Sequence, residues 1–232
     1  MQWLMLLPWA ALVRYGVKRP QRRMLTAAAL TAGLLISMAS QLWLLALDGQ
    51  LNLSTGLPLH LCGMMAVLCL PLCWFSLVNG YMLLLLLGVP GAVLALCFPA
   101  VIDCSHPLLM RLAFCRVHVL ILATAMFRWH HKKPPPMDAR SSFLLGNGFL
   151  LITACVNQTL DTNYLFLRAA PVGTPLALLI VRGYGFYVAS LEMLCMLMMR
   201  LLCDGYRLIA GNKSACSPRN RYSVPCTILN QD

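Results

Sequence analysis

Two histidines, three arginines and a glutamate interrupt stretches of this sequence that are otherwise almost wholly apolar. An imidazole suits general-base work near neutral pH, so His60 and His118 are the candidate catalytic groups. The guanidinium forks of Arg111 and Arg182 suit a phosphate or a developing oxyanion. Arg111, Cys115 and His118 are spaced i, i+4, i+7, which puts them on one face of a helix. Thr153, Asn157, Asp161 and Tyr164 repeat that spacing further along, with Gln158 and Asn163 beside them. The simplest arrangement is a polar pocket between helices, in which Arg111, Arg182, Asn157, Asp161, Asn163 and Tyr164 bind and the two histidines act. A blander role is available to each group: an intramembrane histidine often hydrogen-bonds a neighbouring helix. Arg116 faces away from the Arg111–His118 stripe, and Glu192 can neutralise any of these cations.

The eleven cysteines do not form a metal signature. There is no C-x-x-C, and His60 and Cys62 diverge on a helix at i, i+2, so no metal site is expected. Cys62, Cys69 and Cys73 recur at helical spacing as small packing residues, and Cys115 is the thiol to test as a nucleophile. No serine elbow, P-loop or dinucleotide fingerprint is present, and no cofactor is expected.

The elements that must position these groups follow from composition. Of 232 residues, 60% are hydrophobic and only 11% charged, against roughly a quarter charged in a soluble domain. That excludes a soluble enzyme, a disordered regulator and a secreted disulfide scaffold. The chain reads as an all-α, polytopic transmembrane bundle of about six spanning helices, at about 24–46, 55–77, 81–101, 107–127, 141–161 and 174–202. Asn79-Gly80 is a turn signal between the second and third, and Gly88, Gly91 and Gly183 to Gly185 allow close approach of helices. Residues 1–23 form a basic N-terminal segment in which Met1 to Val13, with Trp3 and Trp9, is expected at the membrane interface. Residues 203–232 form a polar tail expected to be disordered.

The net charge of +11 reports orientation. Thirteen cations, among them Arg14, Arg22, Arg23, Arg128, Arg140 and Arg207, fall on one side of the predicted topology, and Arg168 alone on the other. Both termini are therefore expected in the cytoplasm, and nucleic acid is not an expected partner.

Several segments together resemble a known family. Leu57-Pro58-Leu59-His60-Leu61-Cys62 opens the second predicted helix, Gly91-Ala92 to Leu96 precedes Pro99, and His118 sits within the fourth. Thr162-Asn163-Tyr164-Leu165-Phe166-Leu167 closes the fifth, and Gly183 to Tyr187 begins the sixth. In that order they resemble the YwaF-like family of bacterial integral membrane proteins, related to animal transmembrane protein 164. The resemblance implies a six- or seven-helix membrane protein, and in the animal branch a phospholipid acyltransferase. His60 and His118 match the family pattern, whereas Leu59 stands where the animal branch has its proposed nucleophilic cysteine.

Two functions are therefore expected to compete. One is a phospholipid acyltransferase or lipid-ester hydrolase using the membrane histidines, in a bacterial inner membrane, with membrane lipids as its partners. The other is a lipid- or amphiphile-binding protein or partner subunit without turnover. A small transporter is a weaker third, for want of an internal repeat.

Overall fold

The structure, a computed structural model, describes residues 2–17, 20–99, 104–131, 139–170 and 176–209. Among them every regular element is helical. The N-terminal 3₁₀ turn Gln2–Met5 leads into α1 (Leu6–Val17), and α2 (Pro20–Leu47) comes next. After it are α3 (Leu61–Trp74), α4 (Val78–Cys97), α5 (Pro107–His131), α6 (Ala139–Leu160) and α7 (Tyr184–Ile209). Of these, α2, α4, α5, α6 and α7 are long and apolar enough to cross a membrane.

The second predicted crossing, 55–77, is shortened at both ends. Pro58 disfavours helical geometry at Leu57, which is extended at φ −75°, ψ 136°, so the single turn Leu53–Gly56 does not run on into α3. His60 becomes the residue that precedes the helix, with extended backbone, instead of lying within it. At the far end the chain is extended again at Phe75. The 14 residues of α3 reach about 21 Å, short of roughly 30 Å of hydrocarbon. Trp74 Nε1 donates to Thr31 Oγ1 at 2.9 Å, tying the end of α3 to a point well inside α2. The turn between α3 and α4 falls at 75–77. Asn79 and Gly80, expected to make it, lie in the first turn of α4, where Gly80 packs close to Leu68.

Helix α4 contains a π-helical turn, Leu84–Gly88, in which Val89 N–H donates to the Leu84 carbonyl. Pro90 comes directly after it and has no N–H to continue the ordinary ladder, and the wider turn accommodates it. Close α3–α4 contact is made where Gly91 meets Leu61 and Gly88 meets Met65, as expected for small residues.

The core is centred on α5, most of whose length from Met110 to Arg128 is buried. Around it pack α1, α2, α3 and α4, while α6 and α7 lie outside and reach the core through α4. The N-terminal segment, expected at the membrane interface, packs against α2 and α5. It runs back beside α2, with Gly16 against Thr26, Trp9 against Gly33, and Met5 sharing a cavity with Ser40. These glycines remove the side-chain bulk that would hold α1 off, and Val13 is fully buried.

At its other end α7 extends to Ile209, beyond the predicted 202; residues 210–232, where the tail was expected to be disordered, lie outside the described residues, as do Asp103 and the 134–136 proline run. The N-terminal part of the sixth predicted helix is interrupted: Leu176–Ile180 forms a separate turn, and Gly183, at φ +112°, breaks it from α7. A Cβ at Gly183 or Gly185 would meet no neighbour among the described residues, so neither makes close packing, and Gly183 serves the break. Cys69 and Cys73 are buried packing residues, as their spacing suggested, and Cys62 and Cys104 are free thiols.

Candidate functional site

The helix ends distant from the basic segments carry most of the predicted polar residues, and there they form a folded loop. Helix α6 stops at Leu160, and Asp161 turns the chain with φ +51°. Buried Asn157, in the last turn of α6, holds the 162–164 segment in place: its Oδ1 accepts from Tyr164 N–H at 2.7 Å and Thr162 Oγ1 at 2.9 Å. Its Nδ2 donates to the Tyr164 carbonyl at 2.9 Å. Asn163 Oδ1 accepts from the N–H groups of Arg168 and Ala169. Arg168 pairs with Asp161 and also donates to the Asn157 and Thr162 carbonyls, both at 3.3 Å. So Asn157, Asp161 and Asn163 engage their own loop. The stripe Thr153–Asn157–Asp161–Tyr164 ends at Asn157 because the helix ends, and Asp161 is exposed.

That loop brings Tyr164 to His60. The two rings meet edge to face with centroids 4.9 Å apart, and Phe166 is 6.2 Å from the imidazole. Tyr164 is buried, and its hydroxyl donates to the Leu53 carbonyl across the bundle. Tyr187, at the start of α7, donates to the Phe166 carbonyl at 2.7 Å. Together these contacts join the turn before α3, the α6–α7 loop and α7 around His60. The imidazole lies ahead of α3 and stays exposed on one side; desolvation of its packed side holds its pKa below the usual histidine value, so it is neutral at pH 7.

Residues adjoining His60 and Tyr164 in the chain line a cavity of about 270 Å³. Leu61, next to His60, and Leu165, between Tyr164 and Phe166, line it. So do Met64 and Met65 of α3, and Leu83 and Leu87 flank the π-helical turn of α4. Gly146 and Phe149 of α6 and Val188 and Met199 of α7 close it. The lining is apolar except for one pair, Asn147 and Glu192, whose side chains meet at 3.3 Å. This chamber is apolar where a polar pocket was expected, and none of His60, His118, Arg111, Asn157, Asp161, Asn163, Tyr164 or Arg182 is among the residues that line it.

His118 is placed elsewhere, in the buried centre of α5. Its Nδ1 lies 2.7 Å from the Phe114 carbonyl, its ring lies tilted against that of Phe114 with centroids 4.2 Å apart, and its Nε2 is buried with no hydrogen-bond partner among the described residues. A backbone carbonyl accepts only a proton, so Nδ1 is the protonated nitrogen and Nε2 carries the free lone pair. Arg111 is exposed near the start of α5, within electrostatic reach of buried Cys115. Arg116 faces α2, with its guanidinium 3.5 Å from Ser40 Oγ, as its position off the stripe implied. Arg182 is not within a helix: it sits exposed in the turn before Gly183, over the ring of Phe186 at 5.8 Å.

Asn147 and Arg168 were not among the expected site residues. Asn147 lies ten residues before Asn157 in the sequence and reads there as one polar group in an apolar run. Arg168 reads as the single cation of an outer loop, which its ion pair with Asp161 explains. No group of three metal-ligating side chains occurs among the described residues.

No curated protein and no solved structure matches the chain. The model of the TMEM164 family matches residues 2–203, which covers all seven helices but for the last turns of α7, and the protein is an integral membrane protein belonging to that family.

Proposed function

We propose that this protein acts on membrane lipids, holding an acyl chain in the apolar cavity with its ester at the His60–Tyr164 rim. The observation that carries this reading is the cavity itself: an apolar chamber between α3, α4, α6 and α7, lined by Leu61 and Leu165, the sequence neighbours of His60 and Tyr164. Such a chamber binds a hydrocarbon chain through removal of apolar surface from water or headgroups. The chemistry in keeping with it is acyl transfer or ester hydrolysis. His60 would take the proton of an acceptor hydroxyl or water as that oxygen bonds to the ester carbonyl carbon. The carbonyl then re-forms, the bond to the lysolipid oxygen breaks, and the proton passes to that oxygen. No thiol is needed, in keeping with Leu59 at the position of the animal branch's cysteine. His118, with its bare Nε2, is the second candidate base, and exposed Arg182 and Arg111 are candidate phosphate contacts. A bacterial inner membrane is the proposed location.

Binding without turnover is the second reading. It is favoured by the surroundings of the histidines: the ring contacts of both are aromatic, and Nδ1 of His118 faces a backbone carbonyl.

The experiment is incubation of the purified protein, reconstituted in vesicles, with a phospholipid labelled in its acyl chain. Acyl transfer predicts time-dependent release of lysolipid that falls about a hundredfold or more in His60→Ala. Labelled lipid that co-purifies but is never cleaved supports binding alone.

A further inference from the structure

At the opposite, basic end of the bundle the last turns of α5 bring a cation into the interior. Arg128 is 3% exposed, and its guanidinium carbon lies 5.8 Å from the centre of the Tyr81 ring, itself 2% exposed. A guanidinium taken out of water needs a counter-charge and partners for its N–H groups. The titratable groups within electrostatic reach of Arg128 are Tyr81, Arg23 and Cys73, and none of them is a carboxylate. His131, one turn further on, has Arg23, Arg128 and His130 around it. The aromatic face of Tyr81 offsets part of the charge but accepts nothing from an N–H in the guanidinium plane.

Three buried polar atoms here are left without hydrogen-bond partners: Arg128 Nε, Tyr81 Oη and His131 Nε2. Buried polar groups are nearly always paired, so three orphans in one neighbourhood indicate a partner that the described residues do not supply. They come from α4 and α5, and exposed Arg23 at the start of α2 leaves the group open to the surface. An anion answers all of them, and groups from several helices are best served by one with acceptor oxygens directed to more than two sides. That chemistry is a phosphate, which matches guanidinium forks and accepts additional hydrogen bonds on its remaining oxygens.

We propose that Arg128, Tyr81, His131 and Arg23 form a phosphate-binding site at the basic end of the bundle, separate from the apolar cavity and independent of the function proposed for it. The phosphate can come from a lipid headgroup in the adjacent leaflet or from a soluble phosphate.

The test is thermal unfolding of the full-length protein in an uncharged detergent. Inorganic phosphate, short-chain phosphatidic acid or chloride at matched ionic strength is added. A rise in midpoint with inorganic phosphate over chloride supports the site with a soluble source. A rise with phosphatidic acid alone supports a headgroup source. In either case Tyr81→Phe keeps the packing and removes one donor, so the half-saturating concentration should rise about tenfold, with Arg128→Gln and Arg23→Gln at least as weak. If Arg128→Gln does not fold, Tyr81→Phe and Arg23→Gln decide the matter. No midpoint shift with either phosphate, or shifts of wild-type size and midpoint in Tyr81→Phe and Arg23→Gln, would overturn the proposal.

Discussion

Single side chains here act mainly by closing loops, and two of them make sharp predictions. Asn157 makes three hydrogen bonds to 162–164 and so holds Tyr164 under His60. In Asn157→Ala the Tyr164 N–H and carbonyl lose their partner in a buried site. The expected loss is about 2–4 kcal/mol of stability, from several unmade bonds of roughly 1 kcal/mol plus their desolvation. Denaturation in detergent measures it, and unchanged stability would mean that the loop is held by other contacts. Asp48 clips two loops together, accepting from Ser105 N–H at 2.8 Å and from the Ser105 hydroxyl. These bonds hold its carboxyl below the usual pKa, so their contribution is full above the ordinary carboxylate range and is lost as pH falls through the lower folded value. Asp48→Asn should remove that acid-dependent fall in midpoint. Neither role was legible in the sequence: Asn157 reads there as one member of a helical stripe, because nothing in its spacing shows that the helix ends three residues later.

At the scale of elements, the apolar runs were legible and their interruptions less so. Hydrophobicity locates α2, α4, α5 and α6 within a few residues, since few polar residues occur inside a crossing helix, and it finds α7 with both ends displaced by seven to ten residues. It overextends α3, because Leu57, Leu59 and Leu61 are as apolar as the helix they precede, and only Pro58 marks the break. It likewise hides the separation of Leu176–Ile180 from α7, which depends on backbone geometry at Gly183. The N-terminal run was too short to read as a crossing, and its place depends on glycines of α1 and α2 that make room for it. A Cβ at Gly33 would stand 2.8 Å from Trp9 and 3.3 Å from Leu120, both in the core. Gly33→Val should therefore loosen α1 and expose residues 2–17 to protease, while Gly148→Ala, where no neighbour lies within 4 Å, should leave the digestion pattern unchanged.

In the molecule as a whole, an apolar chamber is lined by Leu61 and Leu165, the neighbours of His60 and Tyr164. The sequence pointed to His60 and Tyr164 but not to the chamber, whose walls are leucines, methionines and phenylalanines indistinguishable from lipid-facing ones. Gly146 lines it with ordinary clearance to Leu87 and Met199, so Gly146→Leu should fill the chamber without unfolding the bundle. If His60 is the base, the pH dependence of any turnover should rise on the acid side through a midpoint below that of a free histidine. The most direct measurement is the amount of phospholipid-derived lysolipid formed by wild type, Gly146→Leu and His60→Ala, each reconstituted and verified as folded. The expected result is turnover by wild type, a loss of chain binding and turnover together in Gly146→Leu, and retained chain binding without turnover in His60→Ala. Equal chain binding by wild type and Gly146→Leu would contradict the assignment of the chamber to the acyl chain.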